Sequence, residues 1–584
     1  MKASPEFKRD FIFAAALALA AAAVYCQTLS FPFIDVWDDK LYVTYIVNRL
    51  TPSLGNAAGW FSAPYFLNYI PFTMLSYMLD YLLWGLNPAG YHAQNIFWHA
   101  ASCVLVFLIF RKAGAGPWLS LFLGAVFALH PQKAESVVLV CQRKDLLSAF
   151  FYFAALLCYM KRREKVSFDW IALGLFAASF LSKPGAVSLP FALLAWEIHK
   201  SRSFKFSFYA RKLGLFFVLC VFFCVFAAAA QAGEAVFTDD YMPWPGRVML
   251  AAENFLRYVR TTFFPFGLSP IYPRADINVA WTPIFKLLAA AAAVTAALFF
   301  LWRRSRAAAL FTALPLLAAY TASVAPVSGF MRVSGPVDFA DRYCYVPSFF
   351  IILGAWAALS AAPFGRLSKT ALFTLRAAAV ILTAGLAWLT VLQEDSWSGD
   401  FNFASASYYA GPCPNSVAVC VLAGIELQRG NFDRSAALMD ELVSKDVYNR
   451  TARDRGLNRL GALINKGNIC FYKGDLNGAR EIYTAVTRDK FYPDFTRRDK
   501  HQRNYILGNL VQISVAGGDI RRGRSFIKEI IDFNEPDSFE ALFYKGLLRR
   551  LDGDSAAAAE LFEQALRMRP GDDNTLKNLE LCRP

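Results

Sequence analysis

Long apolar runs alternate with short charged ones through the first two-thirds of the chain and stop near Thr390. The runs are Phe11–Ser30, Ala93–Phe110, Trp118–Leu129, Ser136–Met160, Trp170–Leu181, Ala186–Ile198, Leu213–Ala232, Ile284–Trp302, Ala307–Val324, Val346–Ala361 and Ala371–Thr390. A helix crosses a bilayer in about 20 mostly apolar residues, so the pattern predicts about eleven membrane spans, some of them short. Two long segments, 31–91 and 233–283, interrupt the runs. They carry Trp60, Phe61, Tyr65, Tyr69, Pro71, Trp84, Trp244 and Trp281, residues suited to an interfacial aromatic belt or to re-entrant helices packed over a cavity. After Trp397 the text becomes charged and the pattern changes to that of a soluble domain.

That second pattern repeats at about 34 residues, the period of tetratricopeptide helix pairs. Gly546, Gly553-Asp554, Ala558, Phe562, Ala565 and Pro570 form the clearest unit. Gly467, Gly474-Asp475, Ala479 and Tyr483 form another. Weaker units run through Gly430-Asn431-Phe432 with Ala436, and through Gly518-Asp519 with Ile527. About four repeats and a capping helix near Asn574–Leu581 predict a short α-solenoid, which offers a concave binding surface without naming its ligand. The expected fold is therefore all-α. A polytopic membrane domain over 1–395 leads through a linker at 396–414 to a repeat domain at 415–584.

Charge refines the topology. The ends Lys8-Arg9, Arg111-Lys112, Lys161-Arg162-Arg163, Lys200 to Lys212, Arg303-Arg304-Ser305-Arg306, and Arg366 with Lys369 are all short and basic, which marks them as cytoplasmic. Eleven spans then put the N-terminus in the cytoplasm and the repeats on the extracytoplasmic side, together with the first loop. The first run is longer than a typical signal-peptide core and is followed by more spans, so it reads as a retained anchor. The chain is 56% hydrophobic with 54 Phe, too apolar for one soluble globule. Its net charge of +15 sits largely in those loops, and no finger, RNP or basic-helix signature accompanies it, so nucleic acid is excluded as a partner. The 11 Cys are scattered with no CxxC or zinc spacing; Cys413 and Cys420 are the one close pair outside the membrane. They read as unpaired structural cysteines.

Ionisable residues at the mouths of spans are expensive to keep and mark candidate function. Just past the first run lies Asp35-Val36-Trp37-Asp38-Asp39, three carboxylates in five residues. His130-Pro131-Gln132-Lys133-Ala134-Glu135-Ser136 joins two spans, and Arg143-Lys144-Asp145 follows. Glu135 and Arg143 are eight residues apart, near enough to one helical face to meet a common cavity. Lys183 opens another span, and Asp341-Arg342-Tyr343 precedes the tenth. Helix caps and structural ion pairs would explain these groups one by one; their convergence on one membrane face favours a polar cavity. Such a cavity suits transfer of a sugar from a lipid-linked phosphate. The leaving group is already anionic, so Arg143, Lys183 and Arg342 could stabilise it while Asp38 or Asp39 takes the proton of an acceptor hydroxyl. His130, Glu135, Lys144, Asp145, Asp341 and Tyr343 are further cavity candidates. Asp35, Asp38 and Asp39 could hold Mg²⁺ or Mn²⁺, but no His-rich ligand set is present, so no cofactor is indicated.

Along these residues the chain resembles the transmembrane and tetratricopeptide-repeat-containing O-mannosyltransferases and their bacterial relatives, membrane glycosyltransferases of the GT-C fold. The resemblance rests on Trp37-Asp38-Asp39, Pro88-Ala89-Gly90-Tyr91-His92-Ala93-Gln94-Asn95, His130-Pro131 with Glu135, Arg143-Lys144-Asp145-Leu146-Leu147, Ser182-Lys183-Pro184, Asp341-Arg342-Tyr343 with Pro347-Ser348, and the repeats. It implies inverting transfer of mannose from a polyprenyl-phosphate donor to Ser or Thr hydroxyls of a protein acceptor held by the repeats. The acidic pair of the first loop would sit at the catalytic centre, without a metal, in a bacterial inner membrane. The chain departs from the family at Ile70, where an Arg is usual, and at Asp341, where relatives often carry Glu. Alternatives are transfer to an envelope glycan or lipid, or a non-catalytic membrane scaffold that recruits envelope proteins. A transporter would need internal repeat symmetry, which the sequence does not display.

Overall fold

The computed structural model describes residues 4–66, 68–162, 169–232, 244–272, 281–330, 339–360, 368–411, 415–445, 452–498, 500–569 and 571–583. Arg163, Arg366, Cys413, Pro570 and parts of the 233–283 segment, all used above, lie outside them. The described residues are helical, with one isolated bridge between Tyr65 and Asn68 and no strands. They divide into two compact units. One comprises Met1–Lys40 with Pro52–Ala410, the other Leu41–Thr51 with Gly411–Pro584.

The first unit is a multi-pass membrane domain. Among the described residues four helices are long and apolar enough to cross a bilayer: Pro88–Lys112, Phe206–Ala229, Arg306–Val327 and Lys369–Trp397. Helices Pro117–Ala128, Trp170–Ser182 and Pro347–Ser360 are apolar but shorter than that length. At the centre lies Arg143–Lys161, buried along most of its circumference, as expected of a helix that packs on several sides. Pro88–Lys112 and Trp170–Ser182 pack against it, and Pro5–Val24 and Pro117–Ala128 pack against Pro88–Lys112. Local chemistry starts these helices. Asn87 accepts the N–H of Ala89 with Pro88 at the first helical position, and Asp169 accepts the N–H of Ala172, the usual way to satisfy orphan donors at a helix start.

The run Ser136–Met160, predicted as one span, is broken. A short helix at Ala134–Val138 ends at Leu139, whose backbone is extended (φ −67°, ψ 124°), and a 3₁₀ turn at Val140–Gln142 leads into Arg143–Lys161. A break here needs partners for the freed carbonyls, and distant side chains supply them. Asn95 Nδ2 donates to the carbonyls of Val137 (3.0 Å) and Leu139 (2.9 Å), and Tyr77 Oη donates to that of Val140 (2.7 Å). Nor is segment 31–91 an open loop. It contains helices Leu54–Ser62 and Pro71–Trp84, the latter burying Thr73, Met74, Tyr77, Met78 and Asp80 on one face. Residues 400–408, predicted as part of a linker, form a helix with buried Phe403.

The second unit is built from successive helix pairs: Ser416–Gln428 with Phe432–Ser444, Ala452–Tyr472 with Leu476–Thr487, Lys500–Ala516 with Ile520–Phe533, and Phe539–Leu551 with Ser555–Met568. Helix Asp573–Glu580 follows. The turn chemistry recurs. Gly430, Gly474, Gly518 and Gly553 all have φ near +80°, the left-handed conformation that Gly adopts without Cβ strain. Asp475, Asp519 and Asp554 then cap the second helix of their pairs. Within a pair the helices approach closely: a Cβ at Gly546 would lie 2.7 Å from the Phe562 ring, and one at Gly467 would lie 2.8 Å from that of Tyr483. The segment Leu41–Thr51, counted above with the membrane domain, also belongs to this unit. Its Val43, Ile46, Val47 and Leu50 are buried, and its Val47–Leu50 turn packs on Ser555–Met568.

Candidate active site

Every residue of the site lies in the first unit. The break at Leu139 leaves the N–H of Cys141 outside regular helix, and Asp39 takes it. Asp39 Oδ1 accepts from Cys141 N at 2.7 Å and Oδ2 from Ile34 N at 3.0 Å. The side chain is fully buried; burial pushes its carboxyl up to about 6, against the pull of the two backbone donors and Cys141, with Asp38 adding a smaller upward push. Asp39 thus staples the first loop to the broken span. Trp37 packs on Phe403 at 5.3 Å, and the N–H of Val36 reaches Asp400 Oδ1 at 3.2 Å. With its neighbours fixed in this way, Asp38 stays partly exposed.

The other groups come from turns that the sequence dictates. Pro184 restricts the preceding residue to extended backbone, and Lys183 has φ −158°, ψ 135° at the end of Trp170–Ser182. Its ammonium pairs with Asp145 at the first turn of Arg143–Lys161. Arg342 lies in the 3₁₀ turn Asp341–Cys344. Glu135 Oε2 accepts its backbone N–H at 2.8 Å, and Glu135 Oε1 pairs with its guanidinium. Burial would lower the Arg342 pKa, but Glu135, Tyr343 and Asp38 outweigh it and hold the group charged. The Tyr343 ring is bracketed by both cations, Lys183 Nζ at 5.5 Å and Arg342 Cζ at 4.8 Å from its centre. Lys183, Arg342, Tyr343, Glu135 and Asp145 therefore gather in one place, within electrostatic reach of Asp38.

Four expected members are placed differently. Arg143 is fully buried away from this group. It pairs with Asp80 at 2.8 Å, donates to the Tyr91 carbonyl at 2.8 Å and bonds Asn95. The shared face proposed for Glu135 and Arg143 is not formed, because the break at Leu139 separates them: Glu135 faces Arg342, Arg143 faces Asp80. His130 is buried and neutral. Its Nδ1 accepts the Gln132 N–H at 3.2 Å, so Nε2 carries the proton given to the Thr262 carbonyl at 3.0 Å; burial and nearby Lys133 push its pKa down to about 3. Asp341 is buried, and Tyr272 Oη donates to it at 2.7 Å. Burial, then Glu135, raises its carboxyl to about 8. Lys144 is mostly buried beside Cys141.

Two buried groups are not among the expected site residues: Lys133, although its motif is, and Asp80. Lys133 donates to the carbonyls of Cys344 and Tyr345, each at 3.2 Å, and to Ser348, so a cation caps the carbonyl end of the turn that carries Arg342. Asp80 is the counter-charge of Arg143. Its signal was a lone acid within the apolar stretch Met78-Leu79-Asp80-Tyr81-Leu82. Among the described residues no three His, Cys, Asp or Glu side chains group to hold a metal. Each Asp39 oxygen accepts one backbone N–H.

No family model matches the chain. Curated relatives do. Over 122 residues, 20% of this chain and 14% of the relative, it is 35% identical to Protein O-mannosyl-transferase Tmtc1 of Drosophila melanogaster. Over 96 residues it is 42% identical to Protein O-mannosyl-transferase tmtc2 of Xenopus laevis, covering 16% of this chain and 11% of that one. Over 154 residues it is 30% identical to human Protein O-mannosyl-transferase TMTC3, covering 26% and 17%. The chain is similar to the protein O-mannosyl-transferases. The resemblance read from its motifs is thus met by these relatives, although the matched segments span less than a fifth of their length. Among solved structures, ArnT from Cupriavidus metallidurans bound to undecaprenyl phosphate aligns over 90% of this chain and 81% of its own, at 13% identity and a TM-score of 0.34. A likeness at that level carries neither fold nor activity across.

Proposed function

We propose that the chain is a membrane glycosyltransferase that moves a sugar, mannose by analogy with its relatives, from a polyprenyl-phosphate-linked donor to Ser or Thr hydroxyls of extracytoplasmic proteins. The observation that carries this reading is the pairing of Lys183 and Arg342 around Tyr343, beside a loop that Asp39 pins and Asp38 tips. In the proposed step the acceptor oxygen attacks the anomeric carbon from the face opposite the phosphate. The bond between that carbon and the phosphate oxygen breaks, with inversion. Asp38 accepts the hydroxyl proton. The lipid phosphate gains the negative charge, which Lys183 and Arg342 stabilise. Both cations are already held by carboxylates, so little reorganisation accompanies the charge shift. Arg143 and Asp39 act by positioning, and the helix pairs of the second unit, read as tetratricopeptide repeats, dock the acceptor polypeptide. We place the N-terminus in the cytoplasm and the repeats outside an inner membrane.

The test is transfer by the purified full-length chain, presented with a panel of polyprenyl-phosphate sugars and with Ser/Thr peptide, glycan and lipid acceptors. A chelator arm reports metal dependence. Sugar on the peptide with inverted anomeric configuration supports the reading. Label on the glycan or lipid alone moves the acceptor class. An Asp38→Asn chain that still performs the cellular role, with no transfer by the parent, leaves the scaffold.

A further inference from the structure

Between the helices of the first unit lies a cavity of about 720 Å³ that none of the candidate site residues lines. It is walled by Leu189–Ser201, Trp244–Phe263, Trp281–Arg304, Leu314–Val324 and Pro347–Ser360, and the wall is almost wholly apolar, with Trp196, Phe255, Leu317 and Leu353 facing in. Protein interiors are close-packed, and an unfilled space of this size forfeits the dispersion contacts of every side chain around it. Gly354, in the middle of Pro347–Ser360, keeps it open: a Cβ there would meet nothing within 4 Å. Val294 lines the cavity and is itself exposed, so the space opens sideways, where a membrane helix is surrounded by hydrocarbon. Along Pro347–Ser360 the lining runs from Phe349 to Ser360, about 17 Å of helix. That is close to one leaflet of a hydrocarbon core about 30 Å thick. The end marked by His199, Ala308 and Ser360 is basic. Arg202 ends Leu189–Ser201 with φ +50°, a left-handed conformation more usual for Gly, and its Nη1 donates to the Ala307 carbonyl at 3.3 Å. Arg304 and Arg306 flank the same turn, their guanidinium carbons 5.3 Å and 5.6 Å from the ring centres of Phe300 and Trp302. All three cations are exposed, and among the described residues none of them forms an ion pair.

We propose that this cavity is a binding site for an anionic phospholipid: one acyl chain fills the apolar space, and the phosphate headgroup meets Arg202, Arg304 and Arg306. Charge decides the occupant. A zwitterionic lipid would fill the same volume but would gain little from three cations that lack a carboxylate. The prenyl tail of a donor held at Lys183 and Arg342 would reach the cavity from the other end, by Phe349, and would leave the basic end unused. The basic end also belongs to the loops that the charge pattern assigns to the cytoplasmic leaflet, where anionic lipids set the surface potential. A filled cavity supports Pro347–Ser360, the helix whose start Lys133 holds through Ser348, so the bound lipid stabilises the first unit. The site is independent of the transfer reading.

The experiment uses the full chain in detergent, stripped of lipid and then offered phosphatidylglycerol, phosphatidylcholine or polyprenyl phosphate. Native mass spectrometry counts the bound lipid, and thermal unfolding is followed with each. Every Arg beside an anionic headgroup strengthens binding about fivefold, so the parent should prefer phosphatidylglycerol over phosphatidylcholine about 100-fold. It should retain a single copy and unfold at a higher temperature with it. Arg304→Gln combined with Arg306→Gln should cut the preference to about fivefold. These two side chains touch only exposed rings, so the pair tests charge even where Arg202→Gln disturbs the fold. Gly354→Leu fills open space and removes a Gly from a helix interior. The lipid-free variant should therefore unfold no earlier than the parent, yet bind both phospholipids about tenfold more weakly. Equal retention of the two phospholipids by the parent overturns the proposal, as does an unchanged preference in the double Arg variant. Retention untouched by Gly354→Leu puts the lipid elsewhere and overturns it too. Polyprenyl phosphate that displaces phosphatidylglycerol one for one, and is itself excluded by Gly354→Leu, would give the cavity to the donor's tail instead.

Discussion

Glu135 holds Arg342 twice, once by the backbone N–H at 2.8 Å and once by the guanidinium. One carboxylate therefore fixes both the turn and the side chain that issues from it. Glu135→Gln should keep an acceptor for the backbone N–H but lose the charge, leaving a buried guanidinium uncompensated. Removing one partner of a buried pair costs about 3–5 kcal/mol. Unfolding temperature should fall and donor KM should rise in the same variant. Arg342→Lys should not restore either, because an ammonium cannot reproduce the fork of the guanidinium.

The adjacent acids should part company. Asp38→Asn should lower kcat by about 10²–10⁴-fold, the usual weight of a general base, with the unfolding temperature unchanged. Asp39→Asn should chiefly lower stability, since an amide turns an N–H towards a donor that the carboxylate accepts; an unmet buried donor costs about 1–3 kcal/mol. Thermal unfolding and turnover, measured on both variants, separate the roles. Equal kinetic loss with equal unfolding would remove the distinction.

Asp341 makes a pH-dependent contribution. Burial first, then Glu135, raises its carboxyl from the ordinary 3.8 to about 8. A carboxyl whose folded pKa is raised stabilises the fold fully below its unfolded value and loses that contribution as pH rises through the folded one. Stability should therefore fall from about pH 4 to pH 8, between the unfolded and folded values, and level off above. The groups that face it are Tyr272, Glu135, Arg257 and Lys133. Burial lowers Lys133 from 10.5 to about 8, and its effect has the opposite sign and acts above pH 8, between those two values. The decisive comparison is thus with Asp341→Asn, whose stability relative to the parent should rise steadily from about pH 4 to pH 8 and stay constant above. Parallel unfolding curves for the two chains would refute the assignment.

Arg143 should behave as a strut. Asp80→Asn removes its counter-charge from a fully buried pair and should destabilise by about 3–5 kcal/mol. Donor KM in the surviving folded fraction should stay at the parent value. A raised donor KM with unchanged stability would return Arg143 to the phosphate.

In the second unit, Gly546→Ala places a Cβ 2.7 Å from the Phe562 ring. Overpacking of that kind costs about 1–3 kcal/mol. Unfolding of the unit should move to lower temperature, and Phe562→Leu in the same chain should recover part of the loss. A second-site change that only adds to the damage would show the contact is not the cause.

How far the sequence could be read follows from the range of the interactions. Apolar runs and the Gly-Asp turns of the second unit are local, and a Gly with φ near +80° before a capping Asp at 474–475, 518–519 and 553–554 is visible in the letters alone. The break at Leu139 is not, because the partners that make it tolerable are Asn95 and Tyr77, brought there only by tertiary packing. The same blindness misassigned Arg143. Its sequence neighbours Lys144 and Asp145 pointed to a shared pocket, whereas Asp80 and Asn95 decide where its charge goes. Nothing in Leu41–Thr51, a short apolar-polar mixture between two membrane-domain segments, announces that it packs with residues more than 400 positions later.

The hydrogen bond from Cys141 to Asp39 joins residues 102 positions apart, and the one from Arg342 to Glu135 joins residues 207 apart. During synthesis Asp39 can meet the Ile34 N–H at once, but its second donor, Cys141, arrives only with the fourth hydrophobic stretch, and Glu135 waits for most of the membrane domain. The pocket is among the last things the membrane domain assembles, so a ribosome stalled before Arg342 would leave an inserted protein whose acids and cations have yet to meet.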